Sequence, residues 1–137
     1  MFVCSQTICY CGRNSTDSSI MYAPKTDPII STTDDEGQPI VFTKAKWNEK
    51  KVDHPELLDT TFMANVEKAM QAPEEVWPDY ADYIAGKSDK QCYYRKYSSY
   101  TYVKVVVWVN DSPRRVVTAY GIDCVKEAKY TGLDRLR

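Results

Sequence analysis

The chain has 137 residues, 43% of them hydrophobic, and a formal net charge of -1. That length suits one domain with one ordinary core, and a charge so near zero argues against a generic nucleic-acid binder. The longest uninterrupted apolar run, Val105–Val109, is far too short to span a bilayer, and the opening MFVCSQTICYCGR lacks the charged head and long apolar stretch of a signal peptide. The expectation is a cytoplasmic chain with no membrane partner.

The charge is unevenly spread. Residues 1–89 carry 8 Lys/Arg against 15 Asp/Glu, a net -7, whereas residues 90–137 carry 10 against 4, a net +6. Screening confines each field to about 10 Å, so a basic C-terminal third can attract phosphates locally even in a chain that is neutral as a whole. A solvated strand face without a partner accounts for the same charges.

The first thirty residues mix Ser, Thr, Asn, Asp and Pro and read as a loop-like arm, with a short strand at Val3–Tyr10. The five cysteines Cys4, Cys9, Cys11, Cys92 and Cys124 are odd in number and unevenly spaced, which fits reduced thiols. Cys9-x-Cys11 near Cys4 could hold a soft metal, but the repeated C-x2-C pair of zinc sites is missing, so neither a metal nor a cofactor is expected.

Two β-type runs, Ile29–Thr32 and Ile40–Thr43, flank an Asp-Asp-Glu-Gly turn and predict a small edge hairpin. A short helical stretch follows at about Ala45–Lys51. Leu58, Phe62, Val66, Ala69 and Met70 then recur at helical spacing, and Pro73 stops this main amphipathic helix. A short strand is expected at Glu75–Trp77, and QCYYRKYS, TYVKVVVWV and RRVVTAYGI read as three antiparallel strands, the last two joined by a turn at Asn110–Pro113.

In the middle strand Val103, Val105, Val107 and Val109 share one face, and Tyr102, Lys104, Val106 and Trp108 the other. The order predicts an α+β domain: an N-terminal helical part packed on a C-terminal antiparallel sheet of about four strands. Residues 1–44 would form an arm with its hairpin, residues 45–137 the main domain, and the second sheet face would stay open for a ligand.

His54 is the one histidine. Asp53-His54-Pro55-Glu56 has the form of a helix start, with a capping acid, a proline in the first turn and a glutamate near the positive end. That reading explains every residue except the histidine. Imidazole is the side chain suited to proton transfer near neutral pH, so His54 is also a candidate general acid or base.

Arg95 and Lys96 are adjacent in one strand and point to opposite faces, Arg95 with Tyr93 and Tyr97, Lys96 with Cys92 and Tyr94. Arg95 is the better phosphate ligand because a guanidinium grips two oxygens at once. A cation lying over tyrosine rings is the competing reading. Thr118 and Tyr120, two apart on the last strand, align two hydroxyls on one face, as at a site or on an edge strand facing water. Tyr94, Lys96 and Lys104 belong to a Tyr-Lys-Arg mixture of the kind that stacks unpaired bases and holds phosphates.

Taken in order, DHPE, APEEVW, YYRKY, VKVVVWV and VVTAY, over about residues 45 to 122, resemble the phage-associated branch of the Barnase-EndoU-Colicin-RelE-like nuclease superfamily. The tail KEAKYTGLDRLR has no place in the likeness. The resemblance implies a small α+β fold with a four-stranded antiparallel sheet and, often, a metal-independent ribonuclease. Under it His54 matches the histidine of the family's His-Pro motif, Arg95 its strand base, and Thr118 and Tyr120 its terminal hydroxyl pair.

With no second histidine, Tyr120 or Glu56 would have to partner His54. The implied reaction is attack of a ribose 2'-OH on its adjacent phosphate, with His54 moving a proton, Arg95 and Lys96 stabilising charge, and Thr118 and Tyr120 orienting the phosphate or protonating the leaving oxygen. RNA is the expected partner, with Tyr94, Lys96 and Lys104 as substrate contacts and a cognate inhibitor protein as a further partner. The alternatives are a non-catalytic RNA- or phosphate-binding module, and a phage-derived protein-interaction domain that uses a sheet edge or the acidic STTDDEG hairpin.

Overall fold

The structure is a computed structural model that describes residues 27–137. The strand expected at Val3–Tyr10 and the thiols of Cys4, Cys9 and Cys11 lie outside the described residues.

The hairpin forms first. Strands β1 (Pro28–Thr33) and β2 (Pro39–Thr43) pair antiparallel, and Gly37, at φ 76°, supplies the positive-φ residue of their turn. Thr43 ends β2 and caps α1 (Lys44–Lys50), its hydroxyl accepting from the Lys46 amide at 3.2 Å. A 3-10 turn at Pro55–Leu58 leads into α2 (Thr60–Gln71), whose Phe62, Val66, Ala69 and Met70 are buried.

The remaining elements are β3 (Glu75–Pro78), a short α3 (Tyr80–Ile84), β4 (Lys90–Ser98), β5 (Thr101–Trp108) and β6 (Arg114–Ile122). A second 3-10 turn, Lys126–Lys129, lies in the tail.

The main helix begins later than the sequence suggests. Asp59, extended at φ -85° and ψ 121°, accepts from the amides of Thr61 and Phe62 and is the N-cap of α2. Leu58 ends the preceding 3-10 turn and is exposed, so it is not part of the buried helical stripe. Asp53 and His54 therefore precede a 3-10 turn and not the main helix.

The expected architecture, a helical N-terminal part on an antiparallel sheet of about four strands, is overturned. The sheet has six strands in the order β1-β2-β6-β5-β4-β3, and the helices come mid-chain, after two of those strands. The sheet is mixed, because β2 runs parallel to β6 through Ile40–Arg114 and Val41–Arg115. The physical reason is that β2 has two uses for its residues. Its backbone edge completes the sheet, while Ile40 and Phe42 are fully buried in the core beneath α2.

The two faces differ. On the first, Tyr93, Val103, Val105, Val107, Val116 and Ala119 pack with α2 in one apolar cluster. A bulge in β6 makes this possible. Val106 pairs with Thr118 and Val107 with Val116, leaving Val117 unmatched, so Val116 and Ala119 both turn to the α2 face while Thr118 and Tyr120 turn away.

The second face was expected to stay open, and it is partly closed by the tail that sequence reading left unexplained. Glu127, in the tail, is buried beside Cys92, Tyr94 and Lys104. Leu136 and Arg137 then exchange backbone hydrogen bonds with Val76 along the outer edge of β3. Among the described residues, no helix is long and apolar enough to cross a membrane.

Candidate functional site

His54 and Tyr120 meet. Their rings stack with centroids 4.7 Å apart and 15° from parallel. The contact follows from the chain path: Pro55 opens the 3-10 turn, and Glu56 in that turn accepts from the Gly121 amide at 2.9 Å. The Asp-His-Pro-Glu segment is thus pinned to β6 at two consecutive residues, with the imidazole half-buried on the ring of one and a carboxylate on the amide of the next.

Lys104 approaches the same ring, with its ammonium 5.8 Å from the Tyr120 centroid. Register explains the row: Tyr94, Lys104 and Tyr120 are cross-strand partners on β4, β5 and β6. Two of these were expected as substrate contacts, and neither is placed to meet one. Tyr94 is fully buried and Lys104 is 4% exposed.

Glu127 occupies them both. It accepts from the Lys104 ammonium at 3.0 Å and from the Tyr94 hydroxyl in a short hydrogen bond. Burial pulls the Lys104 ammonium down, but the buried Glu127 carboxylate bonded to it outweighs that and holds it above the usual lysine value. Burial and the bond to Glu127 push the Tyr94 hydroxyl well up, and burial likewise raises the Cys92 thiol. All three stay protonated at neutral pH, leaving one compensated ion pair.

Arg95 is not at the site. It shares the α2 side of the sheet, where its guanidinium donates to the Ala72 carbonyl at 2.7 Å, closing the C-terminal end of α2. Lys96, on the opposite side, is exposed and lies 5.2 Å over the Tyr102 ring. Thr118 shares a face with Tyr120, yet its hydroxyl oxygen is buried and, among the described residues, is the one buried side-chain polar atom without a hydrogen-bond partner. The sequence-derived set therefore separates into a contacting pair, His54 and Tyr120, and five residues committed elsewhere or apart from it.

Two features escaped sequence reading. The first is a polar lock in which Asp34, from the hairpin turn, accepts from the Tyr93 hydroxyl at 2.7 Å, from Arg114 at 2.6 Å and from the amides of Glu36 and Gln38. Burial would raise its carboxyl, but these donors outweigh burial and leave it below the usual range. Tyr93 is pushed up to about 12, chiefly by burial and then by Asp34. Arg137 joins from the tail with two bonds to Asp35, at 2.6 and 2.8 Å.

The second feature is a cleft of about 430 Å³ lined by Glu56, Asp59, Phe62, Tyr97, Tyr100, Thr101, Gly121, Ile122 and Asp123. Its residues lie far apart in sequence. The Asp59-Thr60-Thr61 capping signal was the one readable clue. Among the described residues no group of three or more His, Cys, Asp or Glu converges as a metal-binding set. Comparison with family models, with curated proteins and with solved structures returns no match.

Proposed function

We propose that the chain is a cytoplasmic, metal-independent endoribonuclease that cleaves RNA through the ribose 2'-OH, with His54 and Tyr120 as its proton-transfer pair. One observation carries the reading: the only imidazole in the chain is stacked on the tyrosine that the ordered sequence motifs single out. A helix-start residue has no need of that contact.

The 2'-oxygen gives its proton to the His54 imidazole and bonds to the adjacent phosphorus, and the bond from phosphorus to the 5'-oxygen breaks. The leaving oxygen takes the Tyr120 hydroxyl proton, which His54 then replaces, so the products are a 2',3'-cyclic phosphate and a 5'-hydroxyl end. Glu56 acts as a positioning residue, because its bond to the Gly121 amide fixes where His54 meets β6. Arg95 has no part, since its guanidinium is committed to α2 on the far face. The resemblance of the ordered motifs to the nuclease superfamily supports the same reaction class.

The test is incubation with a mixed-sequence RNA and the matching DNA in excess EDTA, beside His54→Phe. Cleavage of RNA alone to cyclic-phosphate ends, lost in the variant, is the expected result. Intact RNA, or cleavage that survives the substitution, overturns the proposal.

A further inference from the structure

The cleft beside β6 has a chemistry that the ribonuclease reading does not use. Phe62 and Tyr97 meet edge to face, with centroids 5.4 Å apart and planes at 71°, and form one wall. Tyr100, 85% exposed, stands at the opening. Gly121 is part of the floor, where a Cβ would lie 3.3 Å from Thr101 Cγ2, 3.6 Å from Glu56 Oε2 and 3.7 Å from Phe62. A side chain at Gly121 would crowd Thr101 and narrow the cleft there.

Three carboxylates complete the lining, and among the described residues none of them is in a salt bridge. One oxygen of Glu56 is held by the Gly121 amide, and one of Asp59 by the first amides of α2. Their second oxygens, and the exposed carboxylate of Asp123, meet no cation among the described residues. Among the described residues, no lysine or arginine lines the cleft.

A phosphodiester would be repelled by this field, and the carboxylates do not converge as they would on a metal ion. Phe62 is buried, so the ring surface open to a ligand is that of Tyr97 and Tyr100, and these rings beside carboxylates without a cationic partner match one side-chain chemistry in particular. A guanidinium stacks on aromatic rings by its plane and donates to carboxylates by its edge, which an ammonium cannot do as well. Arginine is also among the residues that most often anchor protein interfaces.

We propose that this cleft receives an arginine side chain from a basic segment of a partner protein. The inference does not rest on the ribonuclease reading: Glu56 and Gly121 adjoin both sites, but neither His54 nor Tyr120 lines the cleft.

The test is amide chemical-shift mapping on the full chain, using end-blocked tetra-arginine, tetra-lysine and tetra-citrulline peptides and a tetra-uridylate. Tetra-arginine should shift the amides of Tyr97, Tyr100, Thr101, Gly121 and Ile122. Tetra-lysine should bind more weakly and uncharged tetra-citrulline not at all. The double variant Asp59→Asn, Asp123→Asn keeps a capping side chain on α2 and should weaken tetra-arginine roughly fivefold. The proposal is overturned if these amides do not move, if citrulline matches arginine, if shifts spread over acidic surface elsewhere, or if the uridylate shifts Tyr97, Tyr100 and Thr101, which lie away from the His54–Tyr120 pair in sequence, as tetra-arginine does.

Discussion

The imidazole of His54 lies against the ring of Tyr120 with centroids 4.7 Å apart, although one residue immediately precedes a 3-10 turn and the other sits on a strand far away in sequence. A contact between two aromatic rings contributes about 1 kcal/mol beyond the area it buries. His54→Phe should therefore retain the stack and lower stability by less than about 1 kcal/mol in urea unfolding. RNA cleavage should fall by about 100-fold or more, the usual worth of a positioned proton-transfer group. A variant that folds as well and cleaves as fast would remove His54 from the chemistry.

Arg95 provides the opposite contrast. Its bond to the Ala72 carbonyl caps α2, so Arg95→Met should cost about 1 kcal/mol, read as a lower thermal midpoint. Cleavage by the folded variant should be unchanged. A large fall in activity without loss of stability would return Arg95 to the site.

Lys104 and Glu127 form a buried pair whose side chains are 5% and 3% exposed. Removing one partner strands the other charge, so Lys104→Met or Glu127→Met should each destabilise by about 3 kcal/mol or more. The double variant Lys104→Met, Glu127→Met should recover much of that loss, because no unpaired charge remains. Chemical denaturation of the four proteins measures the coupling, and strictly additive losses would deny it.

Asp34 sets an acid limit. Its folded pKa lies below the ordinary carboxylate value of 3.8, so on acidification the unfolded chain binds the proton first. The stability this group provides is present above the unfolded value and is lost as pH falls through the folded one. Asp34→Asn should cost about 3 kcal/mol at pH 7, and the gap from the parent protein should narrow below pH 3.8. Urea midpoints measured from pH 2 to pH 7 test this, and a gap that is constant with pH would contradict it.

Thr118 carries a buried hydroxyl that has no partner among the described residues, which is a standing cost. Thr118→Val keeps the shape and removes the polar atom, so stability should stay level or rise by up to about 1 kcal/mol. A loss on thermal melting would mean the hydroxyl has a partner after all.

The elements that could be read from sequence are those whose signal is local. Alternation in Thr101–Trp108 and the 3.6-residue spacing of Phe62, Val66, Ala69 and Met70 depend on the backbone geometry of one segment. The join of β2 to β6 depends on two segments from opposite ends of the chain, and neither announces its partner. Alternation also showed that Arg95 and Lys96 face opposite ways without telling which face α2 would cover, so Arg95 was expected at the site and is found capping the helix. Glu127 had a faint signal as one of 4 acids among the last 48 residues, but its role required the tail to fold back across the sheet.

Arg137 grips Asp35 across a separation of 102 residues, and Arg114 grips Asp34 across 80. An isolated hairpin such as β1–β2 is marginal in water, so these two strands, made before the rest of the described sheet, have little to hold them until β6 and the tail have followed. Closing loops of that size costs entropy before any contact rewards it, which favours a slow, all-or-none transition over stepwise assembly. The hairpin turn therefore acts as a late latch: it is made early in synthesis and engaged only when the other side of the sheet arrives.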